Sequence, residues 1–177
     1  MFHTPDMLLV LAMLSLWALA VTDAPAVAVW AVDPHVKVFR DMASPAAGPT
    51  AIHLRAARNE YEPGQFAIRS SRPLKDLRVE LLPLVGPEGR RIGPDQLAWN
   101  FVGYIPLKKN TPLADRLRLR AAPCEVPDPL LDARSLDLPA DTTQPVWLTV
   151  RVPKDAAPGA YRGQAILAAG KENSQPD

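Results

Sequence analysis

The sequence predicts an all-β fold, an antiparallel β-sandwich of immunoglobulin-like or jelly-roll-like type, and three observations carry the prediction. Twenty prolines are spread along the chain; inside a helix each would remove a hydrogen bond and clash with the preceding turn, so long helices are excluded beyond the N-terminus. Apolar residues make up 47% of the sequence, too many for a disordered, proline-rich linker. Short apolar runs alternate with period two between frequent breakers, the pattern of strands with one buried face.

The strands are expected in this order. Val36 and Val38 flank Lys37, and Ile52, Leu54 and Ala56 alternate with His53 and Arg55. Phe66 and Ile68 alternate with Gln65, Ala67 and Arg69, and Leu77, Val79 and Leu81 with Arg78 and Glu80. Leu117 and Leu119 sit between Arg116, Arg118 and Arg120. Val146, Leu148, Val150 and Val152 share one face, opposite Trp147, Thr149 and Arg151; a last apolar stretch runs from Tyr161 to Ala168. One core is expected to hold Leu54, Phe66, Ile68, Val79, Leu148 and Val150, each in the apolar phase of its strand.

Turn chemistry separates these runs. Gly86-Pro87-Glu88-Gly89 reads as a hairpin-type turn, and Pro153 to Gly159 as another, with Gly159 free to take positive φ. Asn59-Glu60 and Pro63-Gly64 divide the second and third runs. Between Pro106 and Pro145 lies one long excursion rich in Pro and Asp, apart from its Arg-Leu alternation. Loops of that length usually carry function or pack against something.

The N-terminus reads as an export signal. Met7 to Val21 is apolar apart from Ser15, short for a membrane span of about 20 residues and suited to a signal-peptide helix. Cleavage is expected near Ala20 or between Ala24 and Ala26, although Phe2 to Asp6 lacks the usual Lys or Arg. This places a signal at 1–24, a sandwich domain at 25–169 and a polar, disordered tail at 170–177. The remaining chain is enough for one core. Any membrane contact would run through an uncleaved signal. A secreted, periplasmic or envelope location follows, and the single cysteine, Cys124, excludes an intrachain disulfide.

Net charge is +1 with acids and bases interspersed, which argues against a nucleic-acid partner. There is no phosphate-binding glycine loop, no Gly-x-Ser-x-Gly elbow and no His-Glu-x-x-His helix. His3, His35 and His53 lie far apart, so neither a metal site nor a cofactor is expected. Glu60 and Glu62 project from one short turn, whereas glycoside hydrolysis needs two carboxyls facing each other across the scissile bond; no catalytic residue is assigned. Trp99, Tyr104 and Trp147 are candidates for stacking on a sugar, against the ordinary role of such residues in sandwich cores. Arg116, Arg118 and Arg120 form a candidate stripe for an anionic sugar or an acidic neighbouring domain, against a solvated strand face with Leu117 and Leu119 turned inward.

Three segments carry a resemblance. Ala57-Arg58-Asn59-Glu60-Tyr61-Glu62-Pro63-Gly64-Gln65-Phe66-Ala67-Ile68 resembles the "RNE…Q" segment near the start of glycoside hydrolase family 123 proteins. Pro127-Asp128-Pro129-Leu130-Leu131 resembles their Pro-Asp-Pro-Leu segment. Gln144 to Pro153, followed by Pro158-Gly159-Ala160-Tyr161-Arg162-Gly163, resembles the strand, turn and strand that come next. The resemblance covers about Trp30 to Leu167 and implies an N-terminal β-sandwich ahead of a catalytic (β/α)-barrel. On that barrel an adjacent Asp-Glu pair works with the substrate's own acetamido group to cleave N-acetylgalactosaminides. No residue here corresponds to the barrel. The resemblance marks Arg58, Asn59, Glu60, Asp128, Gly159 and Tyr161 as structural positions. It also implies a further strand after Leu167, where this sequence turns polar from Gly170 to Asp177, like a truncated or split product.

The reading that follows is a non-catalytic accessory domain partnered by a catalytic barrel. Its rivals are a free-standing carbohydrate-binding module, which would display Trp99, Tyr104 and Trp147 in a flat exposed row, and an envelope interaction protein using the long excursion.

Overall fold

A computed structural model describes residues 27–111 and 118–170. The proposed signal Met7–Val21, Arg116, Leu117 and the tail from Lys171 lie outside the described residues.

The chain forms ten strands: β1 (Val27–Val32), β2 (Tyr61–Ser70), β3 (Leu74–Leu81), β4 (Leu84–Val85), β5 (Arg91–Ile92), β6 (Leu97–Leu107), β7 (Cys124–Leu131), β8 (Leu136–Leu138), β9 (Thr143–Arg151) and β10 (Ala165–Gly170). Among the described residues the only helical turns are two short 3-10 turns, Pro87–Gly89 and Pro94–Gln96. A five-stranded sheet runs β1-β2-β9-β6-β7 and a three-stranded sheet β10-β3-β8, with β4 and β5 as a small hairpin. All pairings are antiparallel. The expected antiparallel sandwich is the observed fold.

The two sheets meet over Phe66, Ile68, Leu77, Val79, Phe101, Leu138 and Val146, all buried. Register explains why these residues meet. Phe66 stands opposite Val146, and Val146 opposite Phe101, so three neighbouring strands present one apolar row. Of the six expected core residues, Phe66, Ile68 and Val79 are in this cluster and Leu148 packs against it. Leu54 and Val150 are only partly buried, at its margin.

The alternation rule fails on β2. Gln65 and Ala67, assigned to an open face, are 4% and 0% exposed. A strap, residues 33–50, crosses the outer face of the five-stranded sheet and buries Trp30, Val38 and Ala67 in a second cluster. Two expected strands are corrected here. Val36 and Val38 do not alternate on a ladder, because a turn closed by Val36 N to Asp33 O at 2.9 Å leaves Val36 exposed and Val38 buried. The Ile52–Ala56 run is extended with Ile52 and Leu54 turned inward, yet it pairs with no strand among the described residues.

The long excursion is corrected too, since it contains β7 and β8. Prolines hid β7. A proline cannot donate to a ladder, and Pro127 and Pro129 sit on an edge strand where half the backbone groups need no partner. The same rule places Pro63, Pro106 and Pro145: each lies where its strand has a neighbour on one side only. The final strand begins four residues later than its apolar stretch, because Arg162 first bridges Val85 through two backbone bonds of 2.7 and 2.9 Å. Gly170, counted with the tail, is its last residue.

Phe66→Ala is expected to cost about 3–5 kcal/mol in a denaturant melt, from lost transfer energy plus the cavity left behind. A loss under about 1 kcal/mol would put Phe66 outside the core.

Candidate functional site

Two regions gather chemistry-bearing side chains. The first lies where the strap meets β7. Lys37 donates through Nζ to Pro127 O at 3.0 Å and to Asp128 Oδ1 at 3.1 Å. Arg40 Nε donates to Glu125 Oε2 at 2.8 Å, and its guanidinium lies 4.0 Å from the centre of the Tyr104 ring. Arg120 Nη1 meets the two Asp41 oxygens at 2.9 and 3.0 Å, while its guanidinium stacks 3.9 Å from the Phe39 ring. That arginine holds the Asp41 carboxyl below the usual carboxylate range. A cavity of about 300 Å³ opens here, lined by Arg40, Asp41, Arg120, Ala121, Pro123, Cys124 and Glu125. Both its arginines are already matched by carboxylates, so it has no surplus charge for an anion.

Tyr104 anchors this knot. Its hydroxyl lies 3.0 Å from Val38 O and 3.1 Å from Thr143 O, sharing one proton between two carbonyls. Burial pushes its pKa well above 10, with Arg40 opposing. The Arg40 contact adds cation–π attraction, worth about 0.5–1 kcal/mol at a partly exposed site.

The second region is a cleft of about 1090 Å³ at the β10 side of the sandwich. Its walls are mostly apolar: Ile52, Leu54, Phe66, Leu97, Leu148, Val150 and Leu167. Arg58, Glu62 and Arg162 line its polar margin, and among the described residues Glu62 is its only acid. Among the described residues the cleft therefore holds no opposed carboxylate pair. Among the described residues no group of three His, Cys, Asp or Glu could hold a metal.

The other residues singled out from sequence find structural surroundings. Asn59 takes a left-handed φ of 65°. Asn59 N donates to Val152 O at 2.9 Å, Val152 N to Glu60 O at 2.8 Å, and Ala57 N to Glu60 Oε2 at 2.7 Å. The turn before β2 is thereby tied to the end of β9. Gly159, with φ 144°, lies under Pro87, and Gly86 lies under the Tyr161 ring; a Cβ at either glycine would collide. Tyr161 Oη donates to Ala157 O at 3.1 Å. These contacts lock the β4–β5 hairpin against the turn before β10.

The aromatic row does not form. Trp99 faces the core, with its ring edge-on to Phe101 at 5.1 Å, whereas Trp147 aligns with Gln65 and Asn100 on the opposite face of the sheet. All three of Trp99, Tyr104 and Trp147 are partly buried. The arginine stripe is corrected likewise: residues 118–120 are not a strand, Leu119 is 77% exposed, and Arg120 turns onto Phe39. Sequence reading missed Lys37, Arg40, Asp41 and Glu125, whose pairings span roughly 80–90 residues; no local pattern reveals such partners.

No curated protein matches this sequence. The family model for the glycoside hydrolase 123 N-terminal domain matches residues 33–169. A family 123 glycoside hydrolase from Clostridium perfringens, described for glycolipid glycan hydrolysis, shares the fold with a TM-score of 0.56 at 16% identity. The match covers 67% of this chain and 20% of that one, so this chain spans about a fifth of the solved enzyme.

Tyr104→Phe keeps the ring under Arg40 and loses the hydroxyl, so a cost of about 0.5–1.5 kcal/mol is expected. In wild type the fold favours the neutral phenol, so this contribution is complete below the ordinary tyrosine value and is lost as pH rises through the raised one. Ultraviolet titration should show Tyr104 staying neutral until the chain unfolds. Ionisation of Tyr104 near pH 10 in the native protein would refute its burial.

Proposed function

Since the chain belongs to the glycoside hydrolase 123 N-terminal domain family, we propose that it is a non-catalytic accessory domain that steadies and positions the catalytic barrel of an exported glycoside hydrolase. One observation carries the reading: the family match fills most of the chain, yet the chain corresponds to a fifth of a family enzyme. The local chemistry agrees with it. Asp41 and Glu125 are occupied by arginines, Glu60 caps a backbone amide, and Glu62 is the sole acid among the described residues that line the cleft. Export is part of the same proposal, supported by the apolar run Met7–Val21.

The purified chain should not hydrolyse an aryl N-acetylgalactosaminide. Turnover that disappears in Glu60→Gln or Glu62→Gln would overturn the proposal. In a full-length family enzyme, removing the equivalent domain should lower the melting temperature of the barrel and its secreted yield. A barrel equally stable and active without the domain would reject the accessory role.

A further inference from the structure

The free edge of β10 and the large cleft belong together. Each of the two larger sheets has two edges, giving four edge strands among them, β1, β7, β8 and β10. Three of them are guarded. Ala31 of β1 donates its amide to Pro49 O at 2.6 Å, β7 carries two prolines and two acids, and β8 is three residues long with Asp137 at its centre. β10, Ala-Ile-Leu-Ala-Ala-Gly, has no proline and no charge, and all but Leu167 are exposed. Proteins normally protect such an edge, because its unpaired amides and carbonyls template another strand.

Across the cleft from β10 runs the extended segment Ala51–Ala56. Ile52 and Leu54 point inward and their neighbours outward, as in a strand, yet these residues make no hydrogen bond among the described residues. Two strand-like backbones with open hydrogen-bonding sides thus flank one apolar gap. At its margin Arg58 and Arg162 form no ion pair among the described residues.

We propose that this gap seats one additional β-strand, paired to β10 and shielded by the Ala51–Ala56 segment, and that the polypeptide following residue 169 in full-length family proteins supplies it. The inference rests on the accessory-domain reading. The family match stops inside β10, so in a longer protein the chain continues directly from the wall of the gap, and consecutive strands pair with each other about two-thirds of the time. The occupant alternates apolar residues, turned onto Leu54, Phe66, Leu148 and Leu167, with polar residues turned outward. An acid at one end would match Arg58 or Arg162.

Three forms of the 177-residue chain test the proposal by amide hydrogen exchange: the chain itself, the chain with Asn-Gly-Lys-Val-Thr-Val-Thr-Val-Asp appended after Asp177, and the same extension with proline replacing the last two valines. The valine extension should slow exchange across β10 and Ala51–Ala56 by about tenfold or more, and the proline extension should not. Leu54→Glu in the extended chain should abolish the slowing while β2 and β9 stay protected. Equal exchange in all three forms would overturn the proposal, as would β10 amides already protected in a monomeric unextended chain. Protection that rises with concentration alongside a dimer in light scattering would assign the edge to a second copy and overturn it too. If the slot fails while domain removal still destabilises the barrel, only the slot falls.

Discussion

The structure depends on one constraint: the five-stranded sheet is covered on both faces around β2, and one of its covers is a strap that has turns but no helix or strand. Such a segment satisfies only part of its own backbone, through Val36 N to Asp33 O and Met42 N to Phe39 O, and a buried unpaired carbonyl costs about 1–3 kcal/mol. The sheet supplies the missing partners. Gln65 Nε2 reaches Asp33 O and Val36 O, each at 3.1 Å, Tyr104 reaches Val38 O, and Thr143 N reaches Arg40 O at 2.8 Å. Gln65 is buried although it is polar because the strap's carbonyls use it. Detachment of the strap would expose Trp30, Val38 and Ala67 together.

Charge reinforces this seam without building a reactive site. Lys37, Arg40 and Arg120 each meet a carboxylate, joining the strap to β7 and to the loop before it. Exposed pairs of this kind are individually weak, with a median of about 0–1 kcal/mol. Their value is positional, since two of the arginines also cover aromatic rings. The chemistry on this face is spent on internal cohesion. On the other side of the sheet the apolar cleft, with little charge and an open strand edge, is the surface still able to accept a partner.

Much of the fold was legible in local pattern. The period-two runs of β2, β3 and β9 follow directly from the alternation of side chains on a pleated strand, and the Gly86–Gly89 turn sits where glycine and proline chemistry put it. The Arg58-Asn59-Glu60 turn and Gly159 were marked in advance by resemblance, but their roles required coordinates: an amide tied to Val152 and a close approach by Pro87. β7 escaped notice because its prolines imitate a loop, and they are tolerated only where a strand lacks a neighbour. Whether a strand is an edge depends on the whole sheet.

The sequence by itself determined the β class, the turns and the apolar face of most strands, because all three arise from interactions within a few residues. Tertiary structure decided which alternating runs became ladders. Residues 52–56 have the side-chain pattern of a strand and no ladder partner among the described residues, whereas Cys124 to Leu131 have prolines and a partner in β6. It also decided that the second face of β2 is buried and that the aromatic candidates point to opposite sides of a sheet. Hydrogen-bond partners in a sheet lie tens of residues apart, so the free energy that selects one pairing over another is a property of the assembled layers and is absent from any short window of sequence.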